Sequence, residues 1–553
     1  MTQTAGLTPE MRDMMVQTLR QVVQRDLPDE KLLELDANDE FPADFIQELL
    51  SPNVGLHLIF LPESVGGLGG GAMDICVVSE EMAALDLGVA TAFLAICLGT
   101  DPIVVGGTEE QKNLWLGRIA TEGMVVAYGV TEPAAGSNVA ALETVAEHVT
   151  DADGNVTHYK ITGTKQFITN GSVAQLYTIL AKTPGGPSFF IVERDTEGLE
   201  AGKHEDKHGI RASDTAGVVL EDVIVPADQL VGLEEGQGIK QANAVFGYTR
   251  LMVGSFGLGC GREALVRAIR YAKERVQFGT TLIEKEGYGA KLLAPNWVDI
   301  EAGRAYGDEL ALKLDNGATG MQVEGSIAKY WSTEAGNRAA DAAIQALGGY
   351  GYAREYMVEK IRRDVRITTI YEGTSEIQQS IIGMYRWKST VRSKGGFYEE
   401  QAEALDQLHK SSPQIGAELV SAGTRDLNDV IQYCHKDRIA TRQAVQFILA
   451  DMMTACEVAG ALCRKVAVMV SEGSSDVDAW AAMARTCARR ALAEVRRGSV
   501  QCVIGYIDTG DSESQAVART FVEKLRSSDP FPAHVGLLDD MGTVTEYLKT
   551  RVE

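Results

Sequence analysis

"DADGNVTHYKITGTKQFIT", Asp151 to Thr169, decides the fold class. Asp-Gly inside a polar cluster is a hairpin-turn signal, and the β-branched and aromatic residues after it have the texture of a strand. Short runs of the same texture surround it: "MVVAYGVT" from Met124, "ETVAEHV" from Glu143, "LYTILAKT" from Leu176, "PSFFIVERD" from Pro187 and "AGVVLEDVIVP" from Ala216. They are too short and too closely spaced for helical crossovers, which predicts an antiparallel β-barrel or sandwich over residues 123–235.

On both sides the apolar residues change to helical spacing. Upstream, "AMDICVVSEEMAALDLGVATAFLAICL" and "EEQKNLWLGRIATEG", with a Gly-rich joint from Val65 to Gly71, predict an all-helical N-terminal domain over 1–122. Downstream, "RLMVGSFGLGCGREALVRAIRYAKERV", "WVDIEAGRAYGDELALKL" and "GSIAKYWSTEAGNRAADAAIQAL" predict a four-helix bundle over 236–392. Gly395 and Gly396 mark a joint, and a C-terminal helical extension follows over 393–553. The class is α+β, mostly α, with two interdomain clefts of the kind ligands favour.

The chain has 553 residues, 45% of them hydrophobic, and a formal charge of −25. That charge repels phosphodiester backbones and anionic lipid, so nucleic acid is not an expected partner. Eight cysteines without any CxxC, and histidines that do not group with them, point to buried thiols in a cytoplasmic protein and to no metal site. No stretch reaches the roughly 18 uncharged apolar residues of a membrane span. "WAAMARTCARRALAEVRRG", Trp480 to Gly498, sets five arginines against an Ala/Leu/Met face. Such a helix either lies peripherally on anionic membrane or is laced by salt bridges, and an acidic protein favours the second.

Three stretches carry chemistry. "VAYGVTEPAAGSN" leaves a strand through a turn that exposes Tyr128, Thr131 and Ser137 with successive backbone amides. "TGTKQFITNGS" sets Phe167 and Thr169 two apart, on one side of a strand, unless Phe167 faces the core. "TTIYEGTSEIQQ", Thr368 to Gln379, places the lone carboxylate of Glu372 between Tyr371 and Gly373, just before a helix that Thr374 caps and Glu376 serves in its first turn.

Together with "RVQFG" and "QALGGYGY", these stretches resemble, in order and spacing, the acyl-CoA dehydrogenase family, and the likeness covers most of the first 390 or so residues. The resemblance implies FAD held between the β domain and the bundle without a Rossmann motif. "GLGCGRE" from Gly257 lies inside a helix and lacks the G-x-G-x-x-G spacing, so its glycines serve helix packing. By position, Tyr128, Val130 and Thr131 resemble flavin-ring contacts, Thr169 the hydroxyl at flavin N5, and Phe167 the cover of one flavin face, where many relatives carry tryptophan.

Arg275, Gln277 and Phe278 resemble the segment reaching the FAD of a neighbouring subunit, although Arg275 also reads as a solvated helix cation. Gln345, Gly348 and Gly349 belong by resemblance to that same partner site, and Thr374 and Glu376 to the adenosine half of FAD. Glu376 stands where the family has glutamine. Ser137, Thr249 and Arg250 are similar to residues along the CoA arm, and Tyr371 and Gly373 flank the substrate.

The family's catalytic base falls on Glu372. It would take the Cα proton of an acyl-CoA while hydride leaves Cβ for flavin N5, giving trans-2-enoyl-CoA, with electrons passed to an electron-transferring flavoprotein. Relatives that place the base on the bundle helix do so where Thr249 stands, and threonine cannot act as a base. Relatives that accept glutaryl chains carry an arginine where "LGVATAFLAIC" has no cation, which favours an uncharged acyl tail. The extension resembles that of the very-long-chain subfamily and implies a homodimer. An oxidase on the same scaffold, and an assembly protein that binds flavin or CoA without turnover, are the alternatives.

Overall fold

The computed structural model describes residues 6–552. Its contacts gather the chain into two compact units: residues up to Cys260 with Ala311–Gly320 and Arg354–Thr368, and Gly261–Leu310 with Met321–Ala353 and the chain from Thr369 onward. The first boundary falls inside one helix, Gly238–Glu274. The glycines beside it serve packing: a Cβ on Gly259 would come 2.1 Å from the Glu80 carbonyl oxygen, and one on Gly261 2.6 Å from Ile300 Cδ1.

The first unit begins with helices fixed by buried acids. Asp74 accepts from the Leu7 N–H (2.7 Å), the Gly71 N–H (2.8 Å) and the Arg12 guanidinium (2.6 Å), so one carboxylate joins the helices Pro9–Asp26 and Ala72–Leu85. Asp86 caps the next helix, Leu87–Gly106, by accepting from the Val89 N–H at 3.0 Å. It also pairs with the buried Lys360, which reaches Asp364 at 2.6 Å. Unpaired, an ammonium so enclosed would cost several kcal/mol, on the order measured for broken buried pairs.

The sheet runs in the order β1 (Val126–Gly129), β4 (Leu176–Thr183), β2 (Val145–Thr150), β3 (Val156–Thr169), β7 (Thr215–Pro226), β6 (Leu199–His204), with β5 (Gly186–Glu193) on β4. The expected hairpin turn is present: the Asp151 carboxylate accepts from the Asp153 and Asn155 N–H groups, and Gly154 has φ +86°. Two expectations are corrected. The sheet is mixed, because β4 runs parallel to β1 and to the end of β2, and among the described residues it does not close into a barrel. The β2–β3 hairpin lies between β1 and β4 in sequence and acts as their crossover, so strand spacing alone could not exclude parallel pairing.

In the second unit, helices of the expected bundle and of the extension are joined by two ion-pair clusters, the first of them buried. The Arg386 guanidinium donates twice to Glu457 (2.8 Å each) and once to Glu324 (2.9 Å). Tyr398 Oη donates to Glu457 at 3.1 Å. Asp299 accepts from Arg490 (2.6 and 3.0 Å) and from Arg338 (3.1 Å). Four of the five arginines between Trp480 and Gly498 are ion-paired, Arg485 and Arg489 with Asp540, Arg490 with Asp299 and Arg497 with Glu494.

Two helices, Leu87–Gly106 and Gln443–Glu472, are long and apolar enough to cross a membrane, although the first carries Asp101. Their apolar stretches are 83% and 78% buried within the fold, which makes them core helices here. All eight cysteines are buried, and among the described residues no group of acidic, histidine and cysteine side chains could hold a metal.

Candidate active site

In the first unit, two chain segments meet where β1 runs out. Between the pairs Lys165–Val218 and Ile168–Ala216, β3 carries two residues, Gln166 and Phe167, against the single Gly217 of β7. This bulge reverses the alternation of faces. Lys165 and Ile168 both turn inward, and Phe167 is left 63% exposed with φ +57°. A core-facing Phe167 is thereby ruled out. Thr169, half-buried, lies past the inward Ile168.

The bulge is pinned by the β1 loop, whose Thr131 carbonyl accepts from the Gln166 N–H at 2.9 Å. Below it, the Lys165 ammonium reaches Glu132 (2.6 Å) and the Leu180 carbonyl (2.6 Å). The Glu132 carboxylate also accepts from the Glu143 and Thr144 N–H groups. Burial works against that carboxylate, yet Lys165 and these donors hold its pKa below the usual range. Burial lowers the pKa of Lys165 in turn. Val130 is buried, and the half-buried Tyr128 ring stacks on Phe189 with centroids 5.6 Å apart. Ser137 is exposed beyond the Glu132–Ala135 turn. Thr249 and Arg250 are buried in the helix Gly238–Glu274.

In the second unit, Glu372 and Gly373 are consecutive left-handed residues, with φ +53° and +90°. A side chain in that region costs roughly 1–2 kcal/mol, so something must hold Glu372 there. The Gln378 side-chain amide donates to the Glu372 carbonyl (3.1 Å) and to the Gly373 carbonyl (3.0 Å). The buried Lys329 ammonium donates to the Gly373 carbonyl at 2.7 Å. Thr374 Oγ1 caps the helix Ser375–Arg392 by accepting from the Ile377 N–H, and Glu376 is exposed in its first turn. Tyr371 and Glu372 are half-buried.

A second feature of that unit is a cavity of about 450 Å³ lined by Tyr271, Arg275, Gln277, Gly348, Gly349 and Tyr350, among others. Gly348 has φ +62° and ψ −133°, a conformation closed to side chains, and a Cβ on either glycine would meet nothing within 4 Å. The Arg275 guanidinium lies 5.7 Å from the centroid of the Tyr350 ring. Gln345 is exposed in the last turn before these glycines and stands outside the lining. Phe278 and Gly279 form the tip of a two-residue hairpin, both with positive φ, and Phe278 is 97% exposed.

Sequence reasoning missed Lys165, Glu132, Lys329, Gln378, Tyr271 and Tyr350. A lysine alone among small and apolar neighbours, as in "GSIAKYW", was the available signal for Lys329.

Family models for acyl-CoA dehydrogenases match along the chain: the N-terminal domain at residues 9–123, the middle domain at 127–223, and the C-terminal domain at 236–385 and 402–521. The chain belongs to the acyl-CoA dehydrogenase family. It is an enzyme of that family, whose members are FAD-dependent oxidoreductases. It is 37% identical over 359 residues to the short-chain-specific acyl-CoA dehydrogenase of Megasphaera elsdenii, covering 63% of this chain and 91% of that one. It is 35% identical over 380 residues to CarC, a subunit of the caffeyl-CoA reductase–Etf complex of Acetobacterium woodii, covering 68% and 97%. A solved acyl-CoA dehydrogenase from Bacillus anthracis, complexed with FAD, superposes over 98% of this chain and 97% of that one with a TM-score of 0.81 at 23% identity, a likeness of fold that includes the extension.

Proposed function

We propose that this acyl-CoA dehydrogenase oxidises the Cα–Cβ bond of an acyl-CoA with an uncharged acyl tail to the trans-2-enoyl-CoA. Glu372 takes the Cα proton, the electrons of that C–H bond close the new double bond, and a hydride leaves Cβ. FAD, when bound, supplies the acceptor for that hydride. The observation that carries the reading is the left-handed Glu372–Gly373 joint, strained and clamped as a base on a functional loop would be.

The residues present suit FAD. The bulge offers an exposed aromatic face in Phe167 beside the Thr131 segment. The Gly348–Gly349 cavity, with Arg275 and Gln277 at its wall and no Cβ in the way, suits a dinucleotide. In this reading Tyr128, Val130, Thr131, Phe167 and Thr169 hold the ring system, and Thr374 and Glu376 meet the adenosine half. Thr249, Arg250 and Ser137 contact CoA, and Tyr371 borders the acyl chain. The Phe278 hairpin reaches the cofactor of a second subunit in a homodimer, which its 97% exposure supports. The absence of a cation from Leu87 to Thr100 supports the uncharged tail, and the Etf-associated relative supports an electron-transferring flavoprotein as acceptor.

Anaerobic titration of the FAD-loaded protein with saturated acyl-CoAs of graded length and branching tests the reading. Flavin bleaching by at least one of them, lost in Glu372→Gln, is the expected result. A flavin that no member of the panel reduces overturns it. Stoichiometric peroxide during turnover in air would assign the acceptor step to oxygen instead.

A further inference from the structure

We propose that Lys329 is a positioning residue for Glu372, acting through the Gly373 carbonyl. The inference rests on Glu372 being the base. Two consecutive left-handed residues turn their carbonyls toward the helices Gln322–Leu347 and Ser375–Arg392, and each helix sends one side chain to meet them. Lys329 takes the Gly373 oxygen at 2.7 Å, and Gln378 takes both carbonyls at 3.0–3.1 Å. Both side chains are fully buried.

A buried ammonium must be well satisfied, and one of the groups it meets is a carbonyl that Gln378 also reaches. What the lysine adds is a charge-assisted bond to the carbonyl just after the base, from a neighbouring helix rather than from the loop's own. Gln378 alone would let the joint move with the helix it precedes. With Lys329, the Gly373 peptide is tied to two helices, and the Cα of Glu372 is fixed against both. The neighbouring Ser375, whose hydroxyl donates to Glu334 at 2.6 Å, makes a second tie between the same helices. A displacement near 1 Å of a catalytic group is worth on the order of 10²-fold in rate.

The test uses the FAD-loaded full chain, the saturated acyl-CoA that best reduces the wild type, and the variants Lys329→Met and Lys329→Arg. Lys329→Met is expected to retain FAD and to bind acyl-CoA within about threefold of wild type, because neither ligand touches the lysine in this reading. Its rate of flavin reduction at saturating substrate should fall by about 10- to 100-fold. The isotope effect with α-dideuterated substrate should rise as proton removal becomes limiting, and solvent deuterium should enter Cα more slowly. Lys329→Arg, which keeps a charged donor, should recover part of the rate.

An unchanged reduction rate and isotope effect in Lys329→Met overturns the proposal, as does a loss confined to substrate binding. Should Lys329→Met not fold, Lys329→Gln, which removes the charge and shortens the reach, carries the same prediction, and a wild-type rate there overturns it. A wild type that reduces with no acyl-CoA, or a Glu372→Gln variant of full activity, instead refutes the reading of Glu372 as base, and the two failures are distinct.

Discussion

The Lys165 ammonium lies 2.6 Å from the Glu132 carboxylate, and both are shut away from solvent beneath the bulge that presents Phe167. Removing one partner of such a pair leaves the other buried and charged. Lys165→Met is therefore expected to lower stability by about 3–5 kcal/mol in urea unfolding. The Lys165→Met/Glu132→Leu double variant should recover more than half of that loss. A Lys165→Met protein within 1 kcal/mol of wild type, measured at about 25 °C, would show that the pair does not hold the loop.

Glu372→Gln preserves the shape of the joint and its backbone bonds while removing the base. FAD content and acyl-CoA affinity should stay near wild type, and the rate of flavin reduction should fall by at least about 10³-fold, toward the upper range for a lost general base. Stopped-flow reduction under argon reads this directly. Activity close to wild type removes Glu372 from the mechanism.

Phe167 makes its contribution outside the core. Because it is 63% exposed, Phe167→Ala should change the melting temperature of the apoprotein by less than that expected for about 0.5 kcal/mol. The same change should weaken FAD by roughly tenfold, in line with an aromatic stacking contribution of about 1 kcal/mol or more. Phe167→Trp should retain or improve the affinity. Equilibrium dialysis of FAD against the three proteins decides the point, and an unaltered affinity for Phe167→Ala refutes it.

Glu235 ties the strap before the helix Gly238–Glu274 to the sheet, accepting from Tyr159 Oη (2.8 Å) and the Gly185 N–H (2.7 Å) and meeting His148 Nε2 at 2.6 Å. Burial opposes its charge, but these partners hold its pKa down at about 2. A carboxyl depressed in the fold stabilises above its unfolded pKa of about 4.3 and loses that contribution as pH falls toward 2. With allowance for partial exposure, the contribution is about 1–2 kcal/mol. Between pH about 4.5 and 2.5, Glu235→Gln should thus lose less melting temperature than wild type. Parallel pH curves for the two proteins would contradict this.

The class of the fold was legible because period and turn chemistry are local. "DADGN" makes its turn through side-chain to backbone bonds within five residues, and Thr374 caps its helix from three residues away. The parallel seating of β1 on β4 was not legible, since it depends on strands some 50 positions apart. The bulge at Gln166–Phe167 was hidden for the same reason: its cause is one residue of slack against Gly217 on a distant strand. Glu372 stood out as an acid on a joint beside glycine. Lys329, 44 positions from the Gly373 carbonyl it meets, did not, because nothing near it in sequence says which carbonyl that is.

Arg386 draws two of its three carboxylate bonds from Glu457, which lies beyond the joint at Gly395. Cutting the gene after residue 392 would take away Glu457 and Tyr398 together and leave Arg386 with Glu324 alone of the carboxylates it bonds. The last 160 or so residues thus share buried ion pairs with the helix before them rather than hanging on as a detachable appendage, and trimming this protein to the length of its shorter cousins is expected to bare the face they cover.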